Sequence, residues 1–340
     1  MKAGALVLGA AALAACDHSL PVAPVAPAQG RISVLDTVGP DGETGWWPSL
    51  AFDRNDQPHL SYCDAYHADL RYATRVNGRW QATSAVSEGK VGKYTALAID
   101  SGGQVAIAFY DQDAKYLRYA WATPRGFESE RLTWGVEVGM ASELRFDEHD
   151  TAHLFYYTPS GKLIHASRPK SGGWSYETVA PATGGYSVRI SPALLDGRFW
   201  VSFVDWSFKD TTLRLARQSE QGFVVETVLA RRGPGWRSQI VLAKGKPELL
   251  FTLTYQRQLR VAQETDSGWQ SARLLRDVGN FAAVAAVNGD IVAAYEDVAG
   301  GEGSIKMLKR EAGQWKRYQL DPEGPAGAHL AVAVDSRGRP

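Results

Sequence analysis

An all-β fold of four-stranded sheets set radially about a common axis, a β-propeller, is what this chain predicts, and three observations predict it. A leucine-led motif recurs six times, at Leu70, Leu117, Leu163, Leu213, Leu259 and Ile305, with spacings of 46 to 50 residues. An aromatic residue close to a glycine follows each one ten or eleven residues later: Trp80, Phe127, Trp174, Phe223, Trp269 and Trp315. Short apolar runs separated by Gly, Asn and Asp fill the space between markers and leave no room for a helix. Two markers kept in step mean one supersecondary unit repeated, and units of roughly 40–50 residues with four strands are propeller blades.

The first unit shows the elements in order. Pro48-Ser49-Leu50-Ala51-Phe52 reads as a first strand, closed by the turn chemistry of Asp53 to Pro58. His59 to Cys63 is a second strand, followed by a polar hairpin from Asp64 to Asp69. Leu70 to Thr74 is a third, Val76-Asn77-Gly78 a turn, and Trp80 to Val86 a fourth. The same reading places blades at 47–86, 94–132, 140–179, 186–228, 236–275 and 281–320. The aromatic column is expected in the core between blades, where large rings bury most area.

A seventh blade is expected as well. His329 to Asp335 repeats the first strand and Ser336 to Pro340 the turn after it, while Gly30 to Leu35 resembles a fourth strand. The prediction is therefore a seven-bladed ring whose last blade is incomplete and is closed by the N-terminal strand.

The N-terminus carries an address. Lys2, an apolar run from Ala3 and then Leu13-Ala14-Ala15-Cys16 have the form of a bacterial lipoprotein signal, with Cys16 the lipidated residue. Residues 1–15 are then the signal peptide, residues 16–30 a Pro/Ala-rich tether and residues 31–340 the propeller. This places the protein in the bacterial cell envelope, held to a membrane by lipid and facing the periplasm or the cell surface; which membrane is left open. Cys63 has no partner for a disulfide and lies in a strand pattern, so it reads as a buried inert thiol. Lys+Arg and Asp+Glu are equal at 37 each, so no net field favours nucleic acid. A single-copy protein is expected.

The unit Asp-x-x-x-x-Pro-His-Leu-Ser-Tyr-x-Asp, then Leu-Arg-Tyr-Ala, then Gly-x-Trp, spelled by Asp53 to Trp80, resembles the repeats of secreted bacterial propellers grouped as sialidase-like or BNR-like. The resemblance covers residues 31–340 and implies the propeller fold. The Ser-x-Asp-x-Gly-x-Thr-Trp box that defines sialidases is absent; Asp100 to Gly103 and Asp335 to Gly338 lack its Thr-Trp end. A propeller sialidase also uses three arginines, a Tyr–Glu pair and an aspartate. Here only Arg189 and Arg237 fall at first-strand starts, and no third arginine matches.

No catalytic set stands out. Glycoside hydrolysis needs two carboxylates across a sugar; Glu143, on a first strand, and Glu137 before it are each half of a pair at best. No cofactor is expected. His59 and His153 hold equivalent second-strand positions and are explained by the repeat rather than by zinc, and the acidic hairpins at Asp64–Asp69, Asp111–Asp113 and Glu296–Asp297 read as turn chemistry ahead of calcium.

Ligand binding is read instead at the first-strand starts, which ring one mouth of the channel. Trp47, Tyr94, Tyr186 and Trp236 supply aromatic faces, and Glu143, Arg189, Arg237 and His329 supply polar groups. Blade four has a longer second hairpin, where Trp206 and Phe208 form a candidate partner-binding patch. The expected function is a binding or scaffold propeller for a glycan or an envelope protein. The alternative is a propeller glycoside hydrolase or lyase. A lectin should keep equivalent site residues in several blades, whereas an enzyme should break the repeat at one mouth.

Overall fold

The computed structural model describes residues 19–26, 44–133, 141–181, 189–206, 211–230, 234–243, 245–287, 290–300, 303–321 and 329–340. An N-terminal strand, β1 (Val22–Ala26), precedes the repeats. Blade one is β2 (Thr44–Phe52), β3 (Pro58–Asp64), β4 (Asp69–Val76) and β5 (Arg79–Val86). Blade two is β6 (Lys93–Ile99), β7 (Val105–Asp111), β8 (Tyr116–Thr123) and β9 (Gly126–Arg131). Blade three is β10 (Glu143–Phe146), β11 (Ala152–Tyr157), β12 (Leu163–Arg168) and β13 (Ser175–Ala180). Blade four is β14 (Ile190–Leu195), β15 (Arg198–Trp206), β16 (Thr211–Ser219) and β17 (Gly222–Ala230). Blade five is β18 (Pro234–Ala243), β19 (Lys246–Leu253), β20 (Gln258–Thr265) and β21 (Gly268–Leu275). Blade six is β22 (Val278–Val287), β23 (Asp290–Asp297), β24 (Ser304–Glu311) and β25 (Gln314–Asp321). Strands within each blade pair antiparallel in sequence order, and the first strands of adjacent blades face one another around a channel.

Both parts of the leucine motif have a packing reason. Leu70, Leu117, Leu163, Leu213 and Leu259 are wholly buried, and so are the alanines three residues on, Ala73, Ala120, Ala166 and Ala216. A strand points alternate side chains to opposite faces. The leucine and the alanine three residues on therefore face opposite junctions: Leu70, Leu117, Leu163 and Leu213 share clusters with Ala120, Ala166, Ala216 and Ala262 of the following blades. The residue after the leucine ties its strand to the hairpin before it: Arg118 pairs with Asp111 at 3.4 Å, Arg214 with Asp205 at 3.3 Å, and Lys306 with Asp297. The acidic hairpins serve as turn caps too, since Asp64 Oδ1 accepts from the Tyr66 and His67 amides and Asp111 Oδ1 from that of Ala114.

Five hydrophobic clusters fill the junctions from blades one and two through blades five and six. The aromatic column lies at the rim of these clusters rather than at their centre. Phe127, Trp174, Phe223 and Trp269 are partly buried against them, and only Trp315, at 4% exposure, is enclosed.

The seventh blade is not formed: the described residues build six. Residues 329–340 run beside the channel, with no strand partner among the described residues. Their turn still follows the repeat, with Asp335 N donating to Arg339 O at 2.9 Å as Asp100 N does to Gln104 O at 3.1 Å. Ser336 also donates to Asp56 from its amide and its hydroxyl, both at 2.8 Å, as Ser101 donates to Asp150. An apolar run ending in an Asp turn thus reads alike whether or not a second strand lies beside it. The Gly30–Leu35 run lies outside the described residues. The N-terminal strand that is described, β1, runs parallel to β25 and widens blade six to five strands. Leu20 and Val22 pack against the blade five and six cluster there. Among the described residues no helix is long and apolar enough to cross a membrane.

Candidate functional site

The channel holds about 760 Å³ and is walled by first strands. At its upstream mouth the backbone is strained at three equivalent positions: Trp47, Tyr94 and Ala141 have φ of 50°, 54° and 58°. Bulky residues rarely adopt this left-handed geometry, and such outliers gather at ligand sites. Hydroxyls of the next blade hold two of them in place. Thr95 Oγ1 donates to the Trp47 carbonyl at 2.8 Å, and Ser142 Oγ to that of Tyr94 at 2.9 Å. Trp47 lies 5.0 Å from Tyr94 and 5.1 Å from His329, forming one aromatic wall joined by Trp46.

Basic groups converge at the same mouth. Arg189 Nη1 stands 3.9 Å from Glu143 Oε1, and Arg189 Nη2 donates to the Leu330 carbonyl at 3.3 Å. Arg237 is 8% exposed; burial first, and then the Arg189 charge, push it down to about 8. Burial and the two arginines push His329 down to about 4. Among the described residues lining the channel, Glu143 is the one carboxylate. Of the residues predicted for this mouth, the structure thus brings together Trp47, Tyr94, Glu143, Arg189, Arg237 and His329. Tyr186, the Trp236 and Trp206 side chains and Phe208 lie outside the described residues.

A second constellation, which the sequence reading missed, sits at the blade junctions. Between blades two and three, Glu130 accepts from Arg168 and, at 3.1 Å, from the Trp174 indole. The Arg168 guanidinium lies 5.2 Å from the Tyr119 ring centre and 5.6 Å from that of Trp174. Between blades four and five, Glu226 accepts from Arg217 and, at 3.3 Å, from the Trp269 indole, while Arg217 lies over Trp200 at 4.3 Å. Arg217 also reaches Glu264 at 2.9 Å. Burial opposes its charge, but Glu264 and Glu226 outweigh that and hold its pKa above the usual range. The glutamates are equivalent, each three residues after the aromatic marker of its blade, and the tryptophans are markers of the following blades. The charged side chains are 26% to 38% exposed, so they face solvent in part. That fixed offset from the marker is the signal from which they are readable.

Chemically, each junction offers a planar donor fork, a carboxylate acceptor and aromatic faces. Adjacent sugar hydroxyls match such a fork and acceptor, and the apolar C–H face of a sugar ring packs on an aromatic ring.

No family model matches the chain, and no curated protein sequence matches it. Solved structures share its fold. The SapL1 lectin in complex with α-methyl fucoside aligns with a TM-score of 0.56 at 12% identity, over 83% of this chain and 99% of that one. A lectin of Aleuria aurantia, described as a six-bladed β-propeller with a novel fucose recognition mode, aligns at 0.54 and 17% identity over 84% and 98%. A leech intramolecular trans-sialidase aligns at 0.55 and 9% identity over 79% and 67%. These likenesses define the class as a β-propeller, six-bladed here, whose solved neighbours include lectins and a sialidase.

Proposed function

We propose that this protein is a glycan-binding propeller with sites at its blade junctions. The observation that carries the reading is the recurrence of a Glu–Trp pair at equivalent positions of two junctions, each completed by an arginine, Arg168 from the following blade in one and Arg217 from the glutamate's own blade in the other. The fucose-binding propellers that share the fold make fucosylated glycans the first ligands to test. On a glycan array the protein is expected to bind saturably, with Trp174→Phe and Trp269→Phe each weakening the signal and the pair abolishing it. A folded double variant that binds as strongly as the parent sinks the proposal.

A specific observation favours a second reading at the channel mouth. A guanidinium pair buried beside an imidazole, with one carboxylate among the described lining residues, favours an acidic ligand. Hydrolysis finds less support, because a glycosidase needs a second carboxylate across the sugar. Sulfate protection of the mouth against thermal unfolding, lost in Arg237→Leu, tests this reading.

The lipidated Cys16 expected from the sequence extends the proposal to an envelope-tethered receptor. Fatty-acid labelling that survives Cys16→Ser counts against it.

A further inference from the structure

The junction between blades three and four repeats the marker glutamate, Glu177, but gives it different company. Phe223 stands where the indole stands elsewhere, and Gln218 replaces the arginine, donating to Glu177 at 3.3 Å. Glu177 ends a chain of four ionisable groups within blade three. Asp147 Oδ2 meets His153 Nε2 at 3.2 Å, His153 Nδ1 meets His165 Nε2 at 2.8 Å, and His165 Nδ1 meets Glu177 Oε1 at 2.7 Å.

Each of these three hydrogen bonds needs one proton between its atoms. Two ionised carboxylates supply none, and two neutral imidazoles supply two. Any arrangement of two protons leaves one pair of lone pairs facing across a closed contact. We infer that the chain holds one proton more than two neutral imidazoles carry, and that this proton ties the strands of blade three to one another.

The surroundings hold the chain together. His165 is 3% exposed, so water does not stand in for the missing donor. Its ring stacks on Phe155 at 4.5 Å and 9°, and Phe199 and Phe223 close the other sides. Burial lowers the proton affinity of both imidazoles below the ordinary value, and Asp147 and Glu177 offset it only in part, so the extra proton rests on the geometry of the three contacts. The other charged neighbour, Arg145, is opposite His153 on β10 but is turned to the Leu144 carbonyl and to Glu143. Gln218 carries the connection into blade four, where its Oε1 accepts from the Phe199 amide at 3.1 Å.

Blade one shows the same columns without the extra proton. Its Asp53, His59 and Tyr72 occupy the places of Asp147, His153 and His165, with His59 Nδ1 2.6 Å from the Tyr72 hydroxyl. A phenol brings its own proton and both donates and accepts, so the bond there is made with a neutral imidazole.

Histidine-labelled protein tests the inference by ring-nitrogen NMR from about pH 5 to pH 8, the window in which free imidazole titrates. Three protonated nitrogens are expected across His153 and His165 at the acid end. The third proton should leave in one titration step shared by the two rings. In Glu177→Gln the amide N–H replaces the proton, so two protonated nitrogens are expected throughout. The unfolded parent and variant carry the same histidines, and only the folded parent takes up the third proton, so falling pH favours the parent over the variant. The parent should therefore lose stability relative to Glu177→Gln on going basic. Should that variant fail to fold, His165→Tyr, which copies blade one, serves in its place. Two protonated nitrogens in the parent at every pH, or an unchanged titration in the folded variants, overturns the inference.

Discussion

Removing Arg310 should destabilise this propeller more than removing any ordinary surface charge. The side chain crosses from blade six to blade five, where its two terminal nitrogens meet both oxygens of Glu248 at 2.7 and 2.9 Å. The two side chains are 13% and 9% exposed, so water scarcely reaches the pair. Arg310→Ala strands the Glu248 carboxylate in that environment, at a cost of about 3–5 kcal/mol. With roughly 2 °C lost per kcal/mol in a chain of this size, the midpoint should fall by about 6–10 °C. Arg310→Met with Glu248→Leu removes both charges and should recover most of the loss. Urea unfolding of the parent, both single variants and the double variant gives the coupling directly. A single-variant cost below about 1 kcal/mol, the range of an exposed pair, or additive singles would refute the reasoning.

Two further outcomes follow from the buried groups. His329 stays neutral in the fold down to about 4, while the unfolded imidazole takes its proton near the ordinary value of 6.5. Stability should therefore fall as pH drops through that window, and His329→Phe should flatten the slope in thermal melts, a change that an unaltered slope would contradict. Cys63 is 2% exposed and burial pushes its thiol up to about 12, so it should resist alkylation until the protein unfolds. Rapid labelling of the native protein would show that this strand opens.

The fold was legible because its repeat is written in residues with one packing task each. Leu70, Ala73 and their counterparts in later blades fill the junction cores, and nothing larger than alanine is found at the second position in blades one to five. The blade count was less legible, because residues 329–340 keep the first strand's apolar run and its Asp turn while no ladder partner for that run lies among the described residues. At the mouth, the residue types were readable but not the left-handed backbone that aims Trp47 and Tyr94, since neither is a residue that favours it. The junction sites escaped because their partners come from different blades: Glu130 and Trp174 lie 44 residues apart and meet only when two sheets pack. Only the shared offset of Glu130, Glu177 and Glu226 from the aromatic markers hints at them.

The central claim, glycan binding at the junctions, is tested most directly by following the indole N–H resonances during titration with α-methyl fucoside. Of the 11 tryptophans, Trp174 and Trp269 donate their indole protons to the junction glutamates. The account predicts saturable shifts of these two resonances, lost in Glu130→Ala and Glu226→Ala respectively. Shifts confined to Trp46 and Trp47 would move the site to the channel mouth, and a titration that moves no indole with this sugar or with the glycans of the array would contradict the claim.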